Sequence, residues 1–126
     1  MNTSVVQGLE KQLQDAKGLQ ARRDLVVKLS NNREFRELIL DGFCRDDCAR
    51  FTHQSADPAL TPQQRADALA VAQAAGHLKR YLSAAFQMGV TADNQLAELE
   101  EALEEARAEE DVPEQIQPDE THGDNA

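Results

Sequence analysis

The stretch Thr61-Pro62-Gln63-Gln64-Arg65-Ala66-Asp67-Ala68-Leu69-Ala70-Val71, continued as AQAAGHLKRYLSAAFQMG from Ala72 to Gly89, decides the fold. Its first four residues are a helix start. The Thr61 hydroxyl can accept a free backbone amide, Pro62 suits the first helical position, and Gln64 can bond back to Thr61. Val71, Ala75, Leu78, Leu82, Ala85 and Phe86 then recur at helical spacing and point to one buried face. Gly89 follows as the residue type that usually ends a helix in the left-handed conformation. The spacing therefore predicts a helix from Pro62 to about Met88.

Working outward, the same logic places two earlier helices. Ser4 and Gln7 can form a capping box, and Val5, Leu9, Leu13, Ala16 and Leu19 share a face, predicting a helix from about Ser4 to Leu29. Gly8 and Gly18 each weaken it by up to about 1 kcal/mol. Ser30-Asn31-Asn32 breaks the pattern, with Asn31 as the expected cap and Glu34 placed to bond back. A second helix follows from Asn32 to about Gln54. It carries one stripe of Phe35, Leu38, Ile39 and Phe43 and another of Leu40, Cys44, Cys48 and Phe51. Three of the four Phe lie here, which marks this helix as the expected centre of the core. Asp57-Pro58 marks the loop before Thr61.

Downstream of Gly89 the spacing predicts a shorter fourth helix from near Thr91 or Asp93 to about Glu110. Leu96, Leu99, Leu103 and Ala106 are spaced three, four and three. The final residues, with Pro113 and Pro118 and little apolar content, read as a disordered acidic tail. The expected organisation is a helical body over residues 1–92, an acidic amphipathic helix over 93–110 and the tail over 111–126. The expected fold class is all-α: an elongated antiparallel hairpin or bundle of three long helices with a short acidic helix appended. A 27-residue helix is about 40 Å long, so such a body leaves apolar edges that self-association would cover.

Charge is distributed unevenly. Residues 93–126 hold 13 acidic residues and one basic residue, Arg107, whereas residues 1–92 hold 10 acidic and 12 basic residues. The asymmetry points to a basic partner surface. The acidic helix is also internally strained, because Glu100 and Glu104, Glu101 and Glu105, and Glu105 and Glu109 are like-charge pairs four residues apart. Docking its Leu stripe on the body, a sister subunit or a foreign protein offsets that repulsion; the bland alternative is a solvated helix kept soluble by Glu. The candidate partner-binding residues are thus Leu96, Leu99, Leu103 and Ala106 beneath Glu100, Glu101, Glu104 and Glu105. A matching partner combines an apolar groove with basic flanks.

Signals for chemistry are weak. Cys44 and Cys48 lie four apart on a helix, but a structural zinc site usually needs a second ligand pair. His53, Asp47, His77 and His122 do not supply one at a suitable spacing, so the thiols read as small packing groups. His53 is poorly placed to activate either cysteine. Asp46 and Asp47, adjacent on a helix, point in different directions. Phosphate-binding loops and hydrolase elbows are absent from the sequence. The expectation is a protein that is not an enzyme and takes no cofactor. Arg22-Arg23 and Lys79-Arg80 are small basic clusters with a single Tyr in the chain, which argues against direct nucleic-acid binding. Apolar runs fall far short of the roughly 20 residues of a membrane span, and the start lacks a secretory leader. With two cysteines, a reducing cytoplasm is the expected compartment.

Three stretches resemble small acidic helical proteins of tailed bacteriophages. They are Asn31-Asn32-Arg33-Glu34-Phe35-Arg36-Glu37-Leu38-Ile39-Leu40, the run from Ala68 to Leu82, and Leu99-Glu100-Glu101-Ala102-Leu103-Glu104-Glu105-Ala106. The resemblance covers most of residues 9–110 and brings no site residues with it. It implies a phage context, and with it the host cytoplasm; the long amphipathic helices, the acidic adhesive end and the lack of chemical signals then point to a scaffold-like or structural virion-assembly component. An acidic inhibitor that imitates DNA before a host nucleic-acid enzyme is the alternative.

Overall fold

The computed structural model describes residues 2–110. Among them there is no strand, and the helical expectation holds. Three helical rods make up the described residues: α1 (Asn2–Ser30), α2 (Arg33–Phe35) running on through a π-helical segment (Arg36–Asp47) into α3 (Cys48–Ser55), and α4 (Pro62–Glu110). The expected disordered tail, residues 111–126, lies outside the described residues.

The expected third and fourth helices are one. The 49-residue α4 passes straight through Gly89 and Asp93, giving a rod of about 73 Å. Its start follows the capping-box reading: the Gln64 amide donates to Thr61 Oγ1 at 3.1 Å, and the Thr61 amide donates to Gln64 Oε1 at 2.9 Å. Its expected stop fails because Gly89 is not left-handed; no described glycine has a positive φ. Instead Gly89 is buried in a seam that continues past it. Ala85, Gly89, Ala92, Leu96, Leu99, Leu103 and Ala106 keep alternating intervals of four and three, all of them buried or half-buried. A glycine ends a helix only when nothing downstream has more to gain by continuing it.

Everything else packs along α4. Glu10 meets Arg107, Gln20 and Arg23 meet Asp93, Cys48 meets Ala72, and Phe51 and Gln54 lie beside Ala68 and Val71. Residue numbers rise on one side as they fall on the other. Residues 2–55 therefore form one broken arm running antiparallel to α4, with α1 on its C-terminal half and the α2–π–α3 rod on its N-terminal half. The molecule is a single elongated helical hairpin.

The arm breaks at Asn31 and Asn32, where Asn32 rather than Asn31 is the cap. Its Oδ1 accepts from the Phe35 amide at 2.8 Å. At the other end α1 begins by Asn2, so Ser4 lies inside it, and the buried valine is Val6, with Val5 53% exposed.

The second rod departs most from expectation. Its backbone is π-helical over Arg36–Asp47, and i→i+5 bonding widens each turn beyond the α-helical 3.6 residues. Residues four and five apart then share a face. Phe35, Ile39, Leu40, Phe43, Cys44 and Cys48 are accordingly half-buried, while Leu38, three residues from Phe35, turns out to 71% exposure. Gly42 fits this geometry: a Cβ there would lie 2.9 Å from the Glu37 carbonyl oxygen, five residues back.

The aromatic rod is not the centre of the core; none of its residues is fully buried. The buried set is the seam of α4 together with Val6 and Ala16, and Ala dominates it. Small side chains let two helix axes approach closely, but each contributes little. A fully buried Leu contributes about 1.5–3 kcal/mol, which makes Leu103, at 5% exposure, the largest single anchor.

Candidate interaction surface

The predicted apolar stripe of α4 is already engaged. Leu103 and Ala106 pack with Val6, against which Leu9 and Leu13 also lie. Leu96 and Leu99 are half-buried in the same seam. The stripe thus docks on the chain's own α1, and the carboxylates above it, Glu100, Glu101, Glu104 and Glu105, are all exposed. Arg107, the sole cation of residues 93–110, reaches across to donate to Glu10 at 2.8 Å. The outward face of this end of the hairpin is a dense carboxylate surface carried on a helix held from below.

The two flanks of the α1–α4 seam differ. On one side an open cleft of about 530 Å³ has walls of Ala16, Leu19, Leu99 and Ala102 and a rim of Gln12, Asp15, Gln95 and Glu98. On the other, Leu13 and Leu103 are bordered by Lys17, Glu10 and Arg107. About two and four turns beyond the cleft, towards the hairpin's middle, α4 exposes Met88 (46%) and Tyr81 (55%). Where α1, the π segment and α4 meet, Val26, Leu40, Leu82 and Phe86 line a smaller apolar hollow.

Between the cleft and this middle region lies a polar layer that the residue pattern did not disclose. Asp93 was expected to start a helix; it is instead clamped from α1. Arg23 donates to both carboxylate oxygens, at 2.7 and 3.2 Å, and Gln20 donates to one at 2.6 Å. The Arg23 guanidinium, with Gln20 second, holds the Asp93 carboxyl below the usual aspartate range. Asp93 first and Asp24 second push the Arg23 guanidinium's pKa upward. Gly89 makes the layer possible. A side chain there would collide with Arg23 Cβ and come within 2.7 Å of its Cγ and 3.0 Å of the Leu19 carbonyl oxygen. One signal could have revealed this: the four-and-three spacing of Leu82, Ala85, Gly89, Ala92 and Leu96 runs unbroken across the supposed stop.

The other candidates are placed as follows. Cys48 points at α4, its Sγ 3.5 Å from the Ala72 carbonyl oxygen. Burial raises the Cys44 thiol above its ordinary value, partly offset by Lys79, with Cys48 adding to the rise. A raised thiol is a poor nucleophile and a poor metal ligand. Among the described residues, no three His, Cys, Asp or Glu side chains gather as a metal site would require; His122 lies outside them. Asp46 and Asp47 diverge, pairing with Arg45 and Arg50 respectively. Of the two basic clusters, Arg23 is spent on Asp93 and Asp24, whereas Arg22, Lys79 and Arg80 are exposed. No described helix is long and apolar enough to cross a membrane. Comparison of the chain with protein-family models, curated proteins and solved structures finds no match.

Proposed function

We propose that this chain is a non-enzymatic helical interaction protein that serves virion assembly in a tailed bacteriophage as a scaffold-like or structural component. One observation carries the reading. A 49-residue helix is packed along one seam only, so most of its circumference, including Leu69, Tyr81 and Met88, faces solvent. A rod of about 73 Å with a solvated acidic end and apolar side faces offers extended surface and little enclosed volume, which suits protein association rather than catalysis. The resemblance of most of residues 9–110 to small acidic phage proteins supplies the context. The test is copy number: the protein should copurify with virions or assembling heads, or bind a head or portal component. A purified protein that stays monomeric and binds none of these ends the proposal.

A second reading has its own support, the exposure of Glu100, Glu101, Glu104 and Glu105 on one helical end. It makes the chain an inhibitor that binds a host nucleic-acid enzyme by imitating DNA charge. Changing these four residues to Gln should then abolish salt-sensitive binding to that enzyme. Binding that survives the change removes charge imitation from consideration.

A further inference from the structure

The sequence of α4 divides sharply in two. Residues 68–92 contain no Asp or Glu and two cations, Lys79 and Arg80, whereas residues 93–110 contain eight acids and one cation. Within one hairpin these halves lie end to end and cannot meet. Two antiparallel copies of α4, related by a two-fold axis at the division, would bring each half against the other's opposite. A second regularity has the same centre. Tyr81, Met88, Gln95 and Ala102 recur every seven residues, close to two full turns, and so share one face of the helix. Gln95 and Ala102 line the cleft beside Leu19 and Leu99; Tyr81 and Met88 project, exposed, from the same face nearer the middle.

We infer that this face is a dimer interface for a second copy of this chain, with the two-fold axis beside Thr91 and Ala92 and Tyr81 of each copy seated in the partner's Leu19–Leu99 cleft. A closed two-fold contact is self-complementary, so each knob must have its hole on the same surface. An axis between residues 91 and 92 sets Tyr81 opposite Ala102 and Met88 opposite Gln95. It also brings Arg80 to Glu105 across the interface. Overlap then runs from about residue 73 to residue 110. That is a strip roughly 55 Å long and about 10 Å wide on each copy, and the two together clear the roughly 1,000 Å² expected of a specific interface. The intramolecular seam is untouched, because Tyr81, Arg80 and Glu105 are all exposed within one hairpin.

This inference rests on the reading that the chain works through helix association, but its test is separate from virion binding. Sedimentation of the full chain across a concentration series should show a monomer–dimer equilibrium. Tyr81→Glu and Arg80→Glu should each weaken dimerisation at least tenfold while leaving the circular dichroism unchanged. Arg80→Glu combined with Glu105→Arg should recover most of the loss, a rescue that a mere folding defect would not give. A monomeric wild type, growth beyond dimers with concentration, single variants that dimerise like wild type, or a failed rescue would each overturn the interface. Loss of virion binding with the dimer intact would strike the assembly proposal alone.

Discussion

Replacing Gly89 by Ala sets two well-known effects against each other at a position where the structure says which wins. In an open helix interior the change stabilises by about 0.8–1.0 kcal/mol, because Gly has the greater conformational freedom to lose. At Gly89 the new methyl would collide with Arg23 Cβ and sit 3.0 Å from the Leu19 carbonyl oxygen. Neither atom can rotate away, so α1 and α4 must separate at this point. Overpacking of this kind costs about 1–3 kcal/mol. Taking the middle of that range, Gly89→Ala should be net destabilising by about 1 kcal/mol. Gly76, in the same helix with nothing within 4 Å of an added methyl, provides the control and should be stabilised by about 1 kcal/mol on replacement. At about 4 °C per kcal/mol for a chain of this size, the two variants should differ in Tm by about 8 °C, on opposite sides of wild type. Thermal melts followed by circular dichroism read this directly. If Gly89→Ala raises Tm as Gly76→Ala does, the close crossing and the single continuous α4 built on it are wrong.

Other expectations concern single contacts. The Asp93 carboxyl is held below its ordinary value by Arg23 and Gln20, so its contribution is present above the unfolded aspartate value of about 3.9 and disappears as pH falls through the lower, folded value. The stability advantage of wild type over Asp93→Asn should therefore shrink as pH drops from about 5 towards 2; a gap that stays constant would exclude the clamp. Leu103→Ala removes the largest seam anchor and should cost about 2 kcal/mol, the low end for buried Leu because an open seam can relax. Amide exchange at the end of the hairpin where Leu103 packs with Val6 and Ala106 should quicken with it, and an effect no larger than that of Glu104→Ala would contradict the seam. Asn32→Ala deletes the cap of the second rod and should lower stability by about 1 kcal/mol in urea titrations. Cys44, half-buried, should react with a thiol reagent at pH 8 more slowly than an unstructured peptide thiol, given the direction of its shift; equal rates would mean that it is not shielded by the fold.

What the residue pattern disclosed, and what it hid, follows from the range of the interactions involved. Two local signals read well. Thr61, Pro62 and Gln64 form the anticipated capping box, and the Asn31–Asn32 break is real, though displaced by one residue. The misplaced starts at Ser4 and Asn31 and the wider turn of Arg36–Asp47 are local; the largest error, the division of α4, concerned contacts supplied from across the hairpin. Gly89 looks like a terminator until Arg23 is seen lying over it. Asp93 looks like a helix start until its carboxylate is seen to be bound by α1. Leu38 belongs to the buried stripe only if the backbone is α-helical, and nothing in Arg36–Asp47 announces a wider turn except Gly42, whose meaning depends on the Glu37 carbonyl beneath it. The candidate surface was legible in composition, since the leucines and glutamates lie on opposite sides of the helix; left open was whether the body, a sister subunit or a foreign protein takes the leucines, and it is α1.

That occupancy explains how so acidic a segment stays helical. Three like-charge pairs among Glu100, Glu101, Glu104, Glu105 and Glu109, each costing about 0.2–0.5 kcal/mol, oppose the helix by roughly 1 kcal/mol in all. The seam compensates where the repulsion lies. Along the acid-free half the buried residues are Ala68, Ala72, Ala75, Ala85, Gly89 and Ala92, with Val71, Leu78 and Leu82 half-buried; along the acidic half they are Leu103 and Ala106, with Leu96 and Leu99 half-buried. Burial of Leu103 alone, at about 1.5–3 kcal/mol, exceeds the repulsion. The one large residue fully buried in α4 thus lies beneath the densest carboxylates, and the carboxylate surface and the leucine stripe act as one device. Weakening the stripe should release the acidic end from α1 before it disturbs the alanine-lined half, so the surface most exposed to a partner is also the one whose helicity depends most on intramolecular docking.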